Sequence, residues 1–127
     1  MRTLTVRTAG RTDFVNVTGI VAAAVRALDL MNGVVTVFVP HTTCGVTIQE
    51  QADPDVMQDM ATVLERLVPW SGNYRHSEGN TAAHVKASLL GSSVSVIVED
   101  GELRLGTWQG IFLCEFDGPR TRQVWVR

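Results

Sequence analysis

The stretch Ser93-Val94-Ser95-Val96-Ile97-Val98-Glu99-Asp100-Gly101-Glu102-Leu103-Arg104-Leu105 decides the fold class. Val94, Val96 and Val98 alternate with Ser93, Ser95 and Ile97, the period-two pattern of a strand with one face on a core. Asp100-Gly101 is a two-residue hairpin signal, because the favoured turn needs positive φ at both positions and Asp and Gly tolerate it. Glu102 to Leu105 then returns as the partner strand. A hairpin here, after alternating strand and helix signals, argues for an α+β fold.

Toward the C-terminus, Ile111 to Phe116 reads as a buried strand. The Asp117-Gly118-Pro119 turn leads into a last strand, Arg120 to Arg127. Toward the N-terminus, Ser77 or Gly79 opens a helix that closes at Gly91. Asp53-Pro54-Asp55 starts another: Asp caps, Pro fits the first helical position, and the second Asp suits the positive end of the helix dipole. Val56, Met57, Met60, Val63, Leu64 and Leu67 form its apolar face, and Pro69 ends it. Val34 to Val39 is an unbroken apolar run apart from Thr36, which predicts a strand buried on both faces. Pro40 stops it, and a further strand follows from Gly45 to Gln49.

Thr18 is placed to cap a helix from Gly19 to about Leu30, with Ile20, Ala23, Ala24, Ala27 and Leu28 at helical spacing. Asn32-Gly33 ends it. Residues 3–8 and 14–17 read as short strands around the Ala9-Gly10-Arg11 turn. The expected architecture is two mainly antiparallel sheets, a β-sandwich, with about three helices packed at one end.

The 127 residues fit one domain, 1–127, with no linker or repeat. Apolar residues make up 45 % of the chain and charged residues only 19 %, which is compatible with part of the surface being buried in an oligomer. Net charge is −2 with no basic stripe, so no nucleic acid is expected as partner. No apolar run approaches the ~20 residues of a membrane span, and no membrane association is expected. The N-terminus alternates like a strand and lacks a signal-peptide core. Cys44 and Cys114 read as reduced thiols of a cytoplasmic protein.

Polar chemistry collects in four segments. The first is His41-Thr42-Thr43-Cys44 with Glu50-Gln51. His41 could act as ligand, base or phosphate donor, or it could be a strand-end histidine bonded to backbone. A Cys44–His41 nucleophile pair is disfavoured, because residues three apart on an extended chain face opposite ways. The second is Tyr74-Arg75-His76-Ser77-Glu78-Gly79-Asn80, continuing to His84. Asn80 and His84 share a helix face. His41, His76 and His84, if folding brings them together, would suit zinc or a similar divalent ion with a carboxylate such as Glu50. The third is Gly106-Thr107-Trp108-Gln109-Gly110, where Trp108 is either a packing anchor or a ring that stacks on a ligand. The fourth is Glu115-Phe116-Asp117-Gly118-Pro119-Arg120-Thr121-Arg122. Arg120 and Arg122 share a face if extended, and two arginines can grip a phosphate. Equally, Asp117 and an arginine could brace the turn as an ion pair.

These segments together resemble the YjbQ-like family (UPF0047), most specifically in Gly106-Thr107-Trp108-Gln109 and Asp117-Gly118-Pro119-Arg120. The match runs in order along nearly the whole chain. Gln51 departs from it, standing where the family usually has Asn. The resemblance implies a homotrimer, a polar cleft near subunit boundaries, and a weak thiamine-phosphate synthase activity on phosphorylated small molecules. That reaction joins a pyrimidine diphosphate to a thiazole phosphate. The alternative is a non-catalytic protein binding a metal or phosphorylated ligand. The candidate residues are then His41, Glu50, Asn80, Gln109 and Asp117 for catalysis. Thr42, Thr43, Trp108, Arg120 and Arg122 would bind the phosphorylated substrate. His41, His76 and His84 would hold a divalent metal, zinc or magnesium.

Overall fold

The computed structural model describes Met1–Arg127. Its elements run β1 (Arg2–Arg7), β2 (Asp13–Asn16), α1 (Thr18–Ala27), β3 (Gly33–Phe38), β4 (Cys44–Glu50), α2 (Pro54–Leu67), α3 (Thr81–Leu90), β5 (Ser93–Glu99), β6 (Glu102–Leu103), β7 (Gln109–Glu115) and β8 (Thr121–Val126). The strands make two antiparallel sheets, one ordered β1-β8-β3-β5-β6 and the other β2-β7-β4. The fold is the expected α+β sandwich. The hairpin turn is as read, with φ of 53° and 77° at Asp100 and Gly101 and Val98 paired with Leu103, but the returning strand is shorter than expected, Glu102–Leu103 instead of Glu102 to Leu105.

Two cores share the three-stranded sheet. One lies between the sheets and takes Val35, Val37, Val96, Val98, Val124 and Val126 from one side, with Val46, Ile111 and Leu113 from the other. The second takes Phe112 and Cys114 from the opposite face of β7, with Phe116 just after it, and covers them with Met57, Ala83 and Ala87 of α2 and α3. The helices are therefore not gathered at one end. α2 and α3 form a third layer, because β7 is apolar on both faces and needs cover on both. Buried Lys86 ties that layer together, with Nζ 2.7 Å from Glu65 of α2.

Two expectations about faces are corrected. β3 is not buried on both sides: Val34, and Ile97 opposite it on β5, are 60 % and 62 % exposed. No helix lies on that face, so the same kind of apolar run has a different fate from β7. In α1 the buried residues are Val21, Ala24 and Val25, while Ile20 and Ala23 are exposed. Val21, Ala24 and Val25 keep helical spacing, so the buried stripe is turned by one residue from the expected face. Thr18 does not cap this helix. Asn16 Oδ1 accepts from the Thr18 N–H at 3.0 Å, and the Thr18 hydroxyl accepts from the Ile111 N–H. α2 starts as read, with Asp53 accepting from the Asp55 N–H at 3.0 Å, a cap worth about 1 kcal/mol. α3 begins later than expected, at Thr81, and closes at Gly91 with φ 89°.

Two local features shape the site. A Cβ on Gly45 would lie 2.8 Å from the Gly91 carbonyl oxygen, so glycine here lets the end of α3 close onto β4. The Val46 N–H then bonds that carbonyl at 3.0 Å. At Pro40 the chain lacks an N–H, and the pairing of β3 with β8, at Val37↔Val126 and Phe38↔Trp125 with Thr36 bonded to Arg127, goes no further than Phe38. Val39 stays with the β5 side through Ser92, 2.7 Å from its N–H. The result is a notch where β3 and β8 part.

Candidate functional site

An ion pair underlies the notch. Glu115, the last residue of β7, is fully buried, and Arg122 of β8 is 5 % exposed. Arg122 Nε donates to Glu115 Oε1 at 2.8 Å, and Nη2 donates to Oε2 and to Thr43 Oγ1. The Thr8 hydroxyl and the N–H groups of Phe116 and Asp117 also donate to the Glu115 carboxylate. Burial pushes the Glu115 carboxyl up, but the Arg122, backbone and Thr8 hydrogen bonds outweigh it and hold its pKa below the usual carboxylate value.

His41 sits above this pair. Its Nε2 accepts from the Gln123 N–H at 2.9 Å, taking the place of the ladder partner that β3 no longer supplies. Burial, then the Arg122 charge, lowers the His41 pKa below 6.5. The neutral ring therefore carries its one proton on Nδ1. With Nε2 accepting and Nδ1 protonated, neither nitrogen keeps a lone pair for a metal. His41 as arranged is a donor, and its expected role as a metal ligand does not fit.

Two clefts of about 470 and 460 Å³ flank His41, Thr42 and Ser92. The first is the notch and reaches Phe38 and Arg122. The second runs along α3 and reaches His84, Ser88 and Cys44. His84 makes no side-chain hydrogen bond to the rest of the chain, and its ring meets His76 edge-on, 5.5 Å between centroids. The chain thus brings His76 to His84 and His84 to the cleft with His41. It gathers no group of three metal-binding His, Cys, Asp or Glu side chains. A three-histidine zinc site, or a carboxylate site for magnesium, is not built within one chain. Burial pushes the Cys44 thiol up to about 12, so it is no nucleophile at neutral pH. Both cysteines are free and buried.

Asp117, Asn80 and Arg120 form a second cluster at the start of α3. Asn80 Nδ2 donates to Asp117 Oδ2 at 2.9 Å, and Arg120 Nη2 reaches the same oxygen at 3.1 Å. Arg120 is exposed and braces the turn, while Arg122 points into the protein. The two arginines therefore do not form one grip. Asn80 Oδ1 and Thr81 Oγ1 are buried without a partner in the chain.

The remaining candidates lie elsewhere. In the β4–β7 ladder Cys44 pairs with Glu115 and Glu50 pairs with Gln109. Six residue steps separate the two ends, about 20 Å. At the far end Gln109 Oε1 accepts from the Gly106 N–H at 2.7 Å, Trp108 is 63 % exposed, and Glu50 Oε2 is buried and unpaired. Gln51 accepts from Asn16 Nδ2 at 3.1 Å and packs where Gly110 has no side chain. Glu50, Trp108 and Gln109 do not meet the histidine cleft within one chain.

This arrangement, with its motif segments at two ends of one ladder, has close counterparts. Residues 2–127 match the family model of the UPF0047 protein YjbQ-like family. The chain belongs to the YjbQ-like family. Among its members, UPF0047 protein YugU of Bacillus subtilis is 47 % identical, over 100 % of this chain and 97 % of the relative. UPF0047 protein MJ1081 of Methanocaldococcus jannaschii is 44 % identical, over 96 % and 88 %. A YjbQ/UPF0047 crystal structure from Clostridium acetobutylicum has a TM-score of 0.98 at 47 % identity, covering 100 % and 98 % of the two chains. That of the conserved hypothetical protein TT1486 from Thermus thermophilus has 0.94 at 49 %, covering 100 % and 98 %.

In this member of the YjbQ-like family, three site residues escape a sequence reading. Ser88 and Ser92 look like an ordinary helix end and the residue after its closing glycine, yet both line the α3 cleft. Glu115 looks like one of two acids flanking a turn. The only signal for its role was its place two residues from Asp117, inside an apolar run.

Proposed function

We propose that this protein is an enzyme acting on a phosphorylated small molecule, bound in the paired clefts around His41. The observation that carries this reading is the lining. Arg122, His41, Thr42, Ser92 and His84 all offer hydrogen-bond donors, and no carboxylate lines either cleft. Such a surface suits phosphate oxygens. The reaction we assign is of the thiamine-phosphate synthase type, in which pyrophosphate leaves the methylene carbon borne by the pyrimidine ring as the thiazole nitrogen bonds to that carbon. Donors around the leaving group would stabilise its developing charge. His84, the cleft imidazole with no side-chain hydrogen bond, is the group placed to move a proton.

The test is rescue of a thiamine-requiring strain that lacks its own synthase. Wild type should rescue, and His84→Ala and His41→Ala should rescue poorly. Equal rescue by both variants rejects this site. A non-catalytic phosphate-binding role is the second reading, favoured by the protonated Cys44 thiol and by His41 being held as a donor. Tight pyrophosphate binding by calorimetry, with no turnover in the purified protein, would select it.

The assembly we propose is a homotrimer, supported by the apolar side chains left open on α2 and α3, Val63, Leu67 and Leu89. Sedimentation at micromolar concentration checks it, and a monomer there rejects it. The two buried free thiols support a reducing compartment such as the cytoplasm.

A further inference from the structure

The chain crosses from α2 to α3 through residues 68–80, which form neither helix nor strand. A connection this long is uncommon in a compact domain, and such segments usually serve a function. Here it is a strap held at both ends, and both ends lead to one turn. At its end Asn80 donates to Asp117 at 2.9 Å. Near its start the Arg11 guanidinium lies over the Trp70 ring, 4.3 Å from the centroid. The Arg11 carbonyl accepts from the N–H of Gly118, the neighbour of Asp117, at 3.2 Å. Arg11 takes part in none of the chain's ion pairs, and the indole face is its direct partner.

Between its ends the strap is stapled. The Tyr74 hydroxyl donates to the Pro69 carbonyl at 2.6 Å, and a Cβ on Gly72 would lie 2.8 Å from the Tyr74 ring, so glycine permits the close fold. Trp70 is tied to both helices, its backbone N–H donating to Glu65 Oε1 at 3.4 Å while Oε2 takes the buried Lys86 of α3. Past the staple comes His76, whose ring meets His84 edge-on with planes at 87°. His84 lines the α3 cleft. With no side-chain hydrogen bond to direct it, its ring is oriented by what packs on it.

We infer that Arg11 is a positioning residue for His84. Its guanidinium latches Trp70, and with it the strap, to the Asp117-Gly118 turn, so that His76 stays against His84 and fixes the ring that faces the α3 cleft. The inference rests on the proposed role of that cleft and adds a residue that lines neither cleft. In the sequence Arg11 is one residue of a surface turn, and no spacing relates it to His76 or His84. The tie exists only because the turn at 9–11, the strap and the turn at 117–118 meet in space.

The test follows the His84 ring protons by NMR at one fixed pH in Arg11→Met, His76→Ala and the double variant. Arg11 is exposed, and methionine keeps its backbone bond to Gly118, so thermal melting should change little. Both single variants should move the His84 signals the same way, and the double variant no further than His76→Ala alone. Pyrophosphate affinity by calorimetry should fall about fivefold in each of the three, the size of one edge-on aromatic contact. Arg11→Lys keeps a cation over the indole and should stay near wild type in both measurements. A His84 signal unmoved by Arg11→Met or by His76→Ala overturns the latch, and so do additive shifts in the double variant. A lysine variant no better than the methionine one overturns it as well. No pyrophosphate binding by wild type overturns the proposed cleft function instead, and the NMR comparison then still decides the latch.

Discussion

Arg122 and Glu115 meet side-on in the interior, with Nε donating to Oε1 at 2.8 Å and Nη2 donating to Oε2. The pair joins the end of β7 to the start of β8, and Thr43 and Thr8 fasten it to two further segments. Removing one partner leaves the other charge buried. Glu115→Gln should therefore cost about 3–5 kcal/mol, the usual penalty for breaking a buried pair. Urea denaturation at pH 7 measures it. A loss below about 1 kcal/mol, the range of surface pairs, would show the pair to be solvated.

The same carboxylate sets an acid limit. The Glu115 pKa lies lower in the folded state than in the unfolded chain, since the Arg122 and backbone hydrogen bonds outweigh burial. Its contribution is therefore fully present above the unfolded value of about 4.3 and is lost as pH falls through the lower folded value. Stability should drop over that window in wild type and drop less in Glu115→Gln. Matching slopes in the two proteins would reject the assignment.

His41 should titrate below 6.5, burial and Arg122 both disfavouring the imidazolium. As pH falls past 6.5 the unfolded chain takes up a proton before the folded one does, so stability is lost in that direction. Nitrogen-15 NMR should show the proton on Nδ1 at pH 7.5, because Nε2 accepts from Gln123. A spectrum with the proton on Nε2 would reopen His41 as a metal ligand.

Cys44 and Cys114 should resist thiol reagents in the folded protein. Burial raises both thiols, Cys44 to about 12. At pH 8 an aromatic disulfide reagent should modify neither on the time scale of minutes and both after unfolding. Rapid, stoichiometric labelling of Cys44 without unfolding would restore it as a candidate nucleophile.

Gly118 should not tolerate a side chain. A Cβ there would overlap the Gly10 carbonyl oxygen and come within 2.8 Å of Glu115 Cγ and Thr8 Oγ1. Gly118→Ala should cost about 3 kcal/mol or more, the upper range for overpacking, because the obstructing group is backbone. Loss of the fold at 37 °C is an equivalent outcome. A thermal midpoint unchanged from wild type would contradict the packing.

The sequence by itself determined the elements with strong local chemistry. Asp100-Gly101 fixed a hairpin through its φ requirement, Asp53-Pro54 fixed a helix start through capping, and β7 was legible as buried from its apolar run Ile111 to Cys114. The order of polar segments determined the family. Tertiary structure decided what each face and charge does. Val34–Phe38 and Ile111–Phe116 are both largely apolar, and only the layer of helices over the second buries both its sides. Arg120 and Arg122 have the same spacing as any pair on one strand face. The turn places Arg120 before β8 and outside, where it meets Asp117, while Arg122 meets Glu115 inside. Trp108-Gln109 and His41 fall in equally polar segments, yet the length of β7 holds them about 20 Å apart. His41 became a donor rather than a ligand only because Pro40 ends the ladder and leaves the Gln123 N–H for it to satisfy. Spacing along the chain encodes local geometry. Which polar groups share a cavity, and which lone pairs are already used, is settled by long-range pairing.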